Sequence, residues 1–176
     1  MWRVAAAYLA GGYLEEYVFL CLHGLDLPAQ NYAMGVGVGV LKKTRVKASD
    51  EMNELDVVAV WNNRLLIVEC KAGRQLFNGK DQEILHKLDQ LKDNAGGALG
   101  MGWLVTTRAL NEHEASHADV LQRAELNRIT VQAGAGQMKR LGAALAKALG
   151  CREREPWPPA AMALLAGLNA NSPKRQ

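Results

Sequence analysis

A chain of 176 residues with 49% hydrophobic and 22% charged residues has the composition of one folded domain with its own core, which excludes global disorder. A formal charge of +3 tolerates a nucleic-acid partner without demanding one. Cys21, Cys70 and Cys151 are odd in number and far apart, which argues against a disulfide framework or a zinc ribbon and fits a reducing cytoplasm.

Residues 2–9 read as a short helix broken at Gly11-Gly12. Glu15 and Glu16 stand where a leader peptide would need its cleavage site, and no apolar run reaches membrane-spanning length. Leu14, Val18, Cys21, Leu22 and Leu25 then recur with helical spacing. Val36, Val38 and Val40 alternate with Gly35, Gly37 and Gly39, a strand with one bare face that another element or a ligand can approach closely. Strand signals at 55–61 and 65–70 flank Asn62-Asn63, residues that tolerate the positive backbone angles of a tight hairpin turn. Residues 81–94 read as a helix carrying Ile84, Leu85, Leu88 and Leu91 on one side, with Gly96-Gly97 as its stop.

A buried strand over 101–106, a helix over 112–126, a short strand over 129–132 and a helix over 137–149 ended by Gly150 complete the pattern. The order α, βββ, α, β, α, β, α predicts an α/β domain over residues 1–150, a mixed sheet with a three-strand meander flanked by helices. Residues 151–176 read as a charged, proline-rich linker, a short apolar helix and a polar tail.

The hairpin carries the chemistry. With residues 61 and 64 flanking the turn, Asp56 falls opposite Glu69 and Glu54 opposite Lys71, and alternation along the strands puts all four on one face. Directly opposed residues have Cβ atoms roughly 4.5–5.5 Å apart, and opposed like charges destabilise a sheet unless a cation compensates. Two carboxylates at that separation suit Mg²⁺ or Mn²⁺, which keep several waters and accept phosphate oxygens. Lys71 would then orient or deprotonate an attacking water. The competing reading is a solvated hairpin face with a weak Glu54–Lys71 surface pair. It suits the outer pair better than the inner one. Leu65-Leu66-Ile67-Val68 is apolar on both faces, so the strand is central and its terminal charges lie at a cleft edge.

The arrangement Glu54-Leu55-Asp56, an intervening strand, and Glu69-Cys70-Lys71 resembles the Asp…Glu-x-Lys signature of the PD-(D/E)xK, restriction-endonuclease-like nucleases. Gly11-Gly12-Tyr13-Leu14-Glu15-Glu16-Tyr17-Val18 and Asn53-Glu54-Leu55-Asp56-Val57 extend the resemblance to the nuclease domain of CRISPR-associated ancillary nucleases activated by cyclic oligoadenylate. It covers about residues 8–107. It implies a metal-dependent endonuclease of CRISPR-linked or other anti-phage defence, with DNA favoured and RNA open, working as a homodimer. A glutamate on the first helix joins the metal site in that family, a role that falls on Glu15 with Glu16 next. Lys87 and Gln90 are weaker candidates for contacting phosphate or water. The backbone carbonyl of Cys70 completes the expected metal ligands beside Asp56, Glu69 and Glu15. The nuclease pattern begins almost at Met1, so a sensor domain is expected to be absent and control by cyclic oligoadenylate is not carried over.

Three other signals compete. The run Lys42-Lys43-Thr44-Arg45-Val46-Lys47 is a candidate phosphate-tracking loop that Arg74, Lys80 and Arg108 could extend, or else a solvated loop. His113-Glu114-Ala115-Ser116-His117 matches the zinc-peptidase pattern, but its polar surroundings and the lack of a later histidine favour a solvated helix face. A nucleic-acid-binding module of nuclease descent without turnover is the remaining alternative.

Overall fold

A computed structural model describes residues 8–38, 53–72 and 81–154. A π-helical turn at Tyr8–Gly12 kinks at Gly11 and leads into α1, Tyr13–His23, which buries Leu14, Tyr17, Val18, Cys21 and Leu22. Strands β1 (Tyr32–Val38), β2 (Asn53–Trp61) and β3 (Arg64–Lys71) follow. Helix α2 (Asp81–Gly96) leads to β4 (Gly100–Thr106), and α3 (Ala115–Leu126) leads to β5 (Ile129–Ala133). Two short helices, α4 (Gly134–Met138) and α5 (Leu141–Leu149), close the described fold.

The sheet runs in the order β1-β2-β3-β4-β5, antiparallel through β3 and parallel from β3 to β5. The expected mixed sheet and meander are both present. Asn62 and Asn63 take φ of 49° and 61°, the left-handed turn that a two-residue hairpin needs to match strand twist. That turn fixes the expected register from Trp61↔Arg64 to Val57↔Val68, but the pairing ends there: the expected pairs Asp56 opposite Glu69 and Glu54 opposite Lys71 do not form, because the Asp56 carboxylate takes the Cys70 N–H in place of a backbone partner.

The core has two layers, one on each side of the sheet. α1 and α5 cover Val57, Ala59, Leu66, Val68, Cys70, Trp103 and Val105. α2 and α3 cover Leu55, Ile67, Leu104 and Ile129. Leu66 and Val68 therefore face one layer and Ile67 the other, as a central strand apolar on both faces requires.

Two expected boundaries differ. The helix expected over 137–149 is two helices with Lys139 and Arg140 in a turn. The Tyr17 hydroxyl donates to the Met138 carbonyl at 2.7 Å, taking an acceptor that a continuous helix would use for its own ladder. The helix expected from 112 begins at Ala115, because Asn111 holds a turn: its side-chain oxygen accepts the His113 N–H and its carbonyl the Glu114 N–H. The expected helix at 2–9 lies mostly outside the described residues. So do the basic run 42–47, Arg74, Lys80 and the tail from 155.

One irregularity governs the site. β1 and β2 pair as Met34↔Val57 and Val36↔Leu55, with Gly35 and Asp56 between them. Val57 packs in the α1 layer and Leu55 in the α2 layer, although simple alternation would put both on one face. Their partners follow them: Met34 lies with α1 residues and Val36 packs against the α2 layer. Both strands exchange faces at the same level. Gly35 makes this sterically accessible with φ of +62°, a conformation costing roughly 1–2 kcal/mol for a residue with a Cβ. Gly35→Ala is therefore expected to lower stability by about 1–2 kcal/mol, read from the urea midpoint in EDTA. An unchanged midpoint would mean that this backbone angle is not needed.

Candidate active site

The face exchange turns the Asp56 side chain toward β3. Its Oδ2 accepts the backbone N–H of Cys70 at 2.7 Å, just past the Val57↔Val68 pair. In a strand the N–H and C=O of one residue leave on the same side, and the Trp61↔Arg64 pair closing the turn directs Arg64, Leu66, Val68 and Cys70 toward β2. The Cys70 carbonyl thus leaves β3 on the side where Asp56 stands. Its thiol is buried in the α1 layer, and that burial, followed by the charges of Asp56, Glu15 and Glu69, pushes it well above the ordinary thiol range. The thiol is core material, as expected.

Glu69 and Lys71 lie two residues apart on β3, with side chains running to the same place. Lys71 Nζ is 2.6 Å from Glu69 Oε1 and 4.0 Å from Asp56 Oδ2. The side chains of Glu69, Asp56 and Lys71 are 11%, 15% and 21% exposed, so the cluster occupies a cleft edge and not an open sheet face. No Glu54–Lys71 ion pair forms among the described residues. Lys71 turns to Glu69 instead, because Glu69 is closer and better buried.

Burial raises the Asp56 pKa to about 6, helped by the Glu69 charge and opposed by the Cys70 N–H and Lys71. Burial pulls Lys71 down, but the Glu69 charge and hydrogen bond and the Asp56 charge outweigh it and leave Lys71 raised. With Asp56 and Glu69 free of metal, the ammonium form of Lys71 is thus favoured. Glu15, on the first turn of α1, is raised by burial and by Glu54, with Lys71 opposing and Glu69 adding. Helix α1 thus brings Glu15 within electrostatic reach of the cluster without a direct contact to it.

Two carboxylates, Glu69 and Asp56, flank Lys71, and Glu15 feels the charges of the cluster from α1. Among the described residues no three His, Cys, Asp or Glu side chains are gathered tightly enough to hold a metal unaided. Asp56 and Glu69 offer hard oxygen donors, the kind Mg²⁺ or Mn²⁺ takes while filling its remaining positions with water and substrate oxygens.

Other expected residues fall elsewhere. Lys87 is half-buried and Gln90 exposed on α2, where Gln90 Nε2 lies 3.2 Å from His86 Nε2. No hydrogen bond or ion pair brings either to Asp56, Glu69 or Lys71 among the described residues. Arg108 is half-buried just past β4, and its N–H reaches the Thr106 hydroxyl. The zinc-peptidase geometry is not formed. His113 lies in the turn before α3 and is exposed, whereas His117 is on the first turn of α3, 3% exposed, with Nδ1 accepting the Asn111 N–H. The two rings do not share a helix face, and His117 is not the solvated residue its polar neighbours suggested. The Asp56–Cys70 bond and the positive φ of Gly35 escaped the sequence reading; the glycine alternation in β1 was their only trace.

Residues 3–145 match the family model of the Card1-like endonuclease domain. Among solved structures, the chain is similar to Can2 from Sulfobacillus thermosulfidooxidans, determined in complex with cyclic tetra-adenylate. That match has 22% identity over 81% of this chain and 37% of that one, with a TM-score of 0.58. It is also similar to protein VC1899 from Vibrio cholerae, with 30% identity over 82% of this chain and 35% of that one and a TM-score of 0.62. The chain thus spans little more than a third of the length of either. No curated protein sequence matches at a significant level. The α/β, restriction-endonuclease-like fold expected from sequence is the fold these structures share. No described helix is long and apolar enough to cross a membrane.

Two outcomes follow from the site. Because the folded-state pKa of Asp56 is raised, the folded protein holds a proton that the unfolded chain releases between about pH 4 and 6, so stability falls as pH rises through that window. Asp56→Asn lacks this penalty. In EDTA it should be more stable than wild type by on the order of 2–3 kcal/mol at pH 7 and equal to it near pH 4; a mutant less stable at pH 7 would contradict the charge account. His117→Ala should cost about 1–3 kcal/mol, since it removes a buried ring together with the acceptor of the Asn111 N–H, while His113→Ala should stay within about 0.5 kcal/mol. Thermal melts of the two variants separate these values.

Proposed function

Since the chain belongs to the Card1-like endonuclease domain family, we propose that it hydrolyses phosphodiester bonds of nucleic acid with Mg²⁺ or Mn²⁺ at the Asp56–Glu69–Lys71 cluster. The observation that carries this reading is the carboxylate–lysine cluster where β2 and β3 part: Asp56 and Glu69 lie 4.0 and 2.6 Å from Lys71 Nζ, and Glu15 on α1 feels the charges of Glu54, Lys71 and Glu69. A bound cation would relieve the repulsion between carboxylates kept together in such a cleft.

Asp56, Glu69 and the Cys70 carbonyl would hold the ion, with Glu15 as a further carboxylate. A bound divalent cation supplies charge neutralisation at the phosphate and lowers the pKa of a ligated water. Asp56 is kept in place by the hydrogen bond that its Oδ2 accepts from the Cys70 N–H. Lys71, protonated, positions the attacking water or a phosphate oxygen by donating to it. The basic residues Lys42, Lys43, Arg45, Lys47 and Arg74 would follow the backbone of the substrate, with Lys87 and Gln90 as outer contacts. DNA is the favoured substrate. On family likeness the protein acts as a homodimer in CRISPR-linked defence. Can2 binds cyclic tetra-adenylate, and we assign no such control to the residues described.

Cleavage of DNA or RNA with Mn²⁺, abolished by EDTA, is the expected result. Asp56→Asn, Glu69→Gln and Lys71→Ala should each lower turnover by on the order of 100-fold or more while keeping a cooperative melt. Glu15→Ala should weaken cleavage less, with its fold intact. Tight nucleic-acid binding without cleavage under either metal would overturn the reading.

A further inference from the structure

Beside the carboxylate cluster, on the α1 side of the sheet, lies an open cleft of about 550 Å³ lined by Tyr8, Glu15, Glu16, Phe19, Leu20 and Met34. Its size falls within the roughly 300–1,000 Å³ of ordinary ligand clefts. Glu15 belongs to both places: it lines this cleft and feels the charges of Glu54, Lys71 and Glu69. The walls are apolar and include two exposed groups that proteins usually cover, Tyr8 and Met34, each 42% exposed. Met34 keeps to the α1 side by alternation from Tyr32, while the face exchange at Gly35 sends Val36 to the other layer.

The cleft has one organised polar feature. The Tyr8 hydroxyl donates to Glu16 Oε2 at 2.7 Å, and the Tyr8 ring meets Tyr13 edge-on with centroids 6.5 Å apart. Glu16 is thereby fixed with a second oxygen left to accept. A cleft with an aromatic ring, a thioether and a carboxylate in its lining offers the contacts that a planar, donor-bearing ring takes. A nuclease substrate carries such rings within one nucleotide of the phosphate being cut.

We propose that this cleft is a nucleobase subsite, in which Tyr8 and Met34 pack on the faces of one unstacked base flanking the scissile phosphate and Glu16 accepts hydrogen bonds from its edge. This rests on the nuclease reading and adds a specificity to it. A carboxylate selects by donors. Guanine offers two parallel N–H groups, N1–H and N2–H, that match it bidentately, and adenine and cytosine each offer an amino group. Thymine and uracil present one N–H between two carbonyl oxygens, which would face the carboxylate unfavourably. Guanine is the preferred occupant, and thymine and uracil are rejected.

The test maps cut positions on random-sequence single strands with Mn²⁺, for wild type and for Glu16→Gln. Wild type should cut beside guanine roughly 10-fold more often than beside thymine or uracil. Glu16→Gln, whose amide can also donate to a carbonyl, should lose most of that bias while melting as wild type does. Separately, the Met34 methyl NMR signal of the full chain should move on titration with guanosine monophosphate and stay still with thymidine monophosphate. Identical base distributions for the two proteins, or a Met34 signal indifferent to guanosine monophosphate, would overturn the subsite. So would a Trp2→Ala variant that moves the Met34 signal as far as guanosine monophosphate does, since the cleft would then hold the chain's own first residues. A wild type that cuts no polymer at all would defeat the nuclease reading instead, and the methyl titration would still decide the cleft.

Discussion

The hydrogen bond from the Cys70 N–H to the Asp56 carboxylate stands where β2 and β3 begin to part, and the arrangement of the site follows from it. Without a side-chain acceptor at that place, a buried strand end would leave an unpaired donor, at a cost of about 1–3 kcal/mol. With it, the strands separate, the Cys70 carbonyl is left facing the gap, and Asp56 is held on the edge of the sheet instead of on a face. The exchange of faces at Gly35 and Asp56 supplies the geometry. One glycine with a left-handed backbone lets two paired strands turn over together, so Leu55 and Val36 reach the α2 layer while Val57 and Met34 stay with α1.

Among the described residues, two half-hidden lysine clusters differ in how they are closed. Lys92, 2% exposed, meets Asp89 at 2.7 Å, Asp93 at 3.4 Å and the Asn127 carbonyl at 2.8 Å. Its donors are spent, and it ties α2 to the end of α3. Lys71 meets Glu69 closely and Asp56 only at 4.0 Å, with further carboxylates nearby and solvent within reach. The first arrangement satisfies itself. The second stays partly open, and burial, with the Glu69 charge adding to it, raises the Asp56 carboxyl.

The His113–His117 segment shows why a spacing pattern is incomplete without its element. Two histidines four residues apart share a face only if one helix carries both. Here Asn111 delays the start of α3 to Ala115, which leaves His113 in a turn and buries His117 against the segment before the helix. The Glu69-Cys70-Lys71 pattern, by contrast, depends only on strand alternation, and β3 is regular through that stretch.

Much of the fold was legible in sequence because it depends on local chemistry and period. Asn62-Asn63 fixed the hairpin and its register, the doubly apolar run 65–68 marked the central strand, and Gly150 ended the last helix with φ of +70°. Glu69 and Lys71 could be paired from their spacing alone. Tertiary structure decided the rest. Whether residues 137–149 are one helix or two turned on the Tyr17 hydroxyl, 121 residues away, which took the Met138 carbonyl. Whether Asp56 obeys alternation turned on a glycine in a different strand, and whether Glu15 reaches the cluster turned on how α1 lies across the sheet. A period describes one strand or one helix, whereas these outcomes depend on contacts between elements distant in the chain.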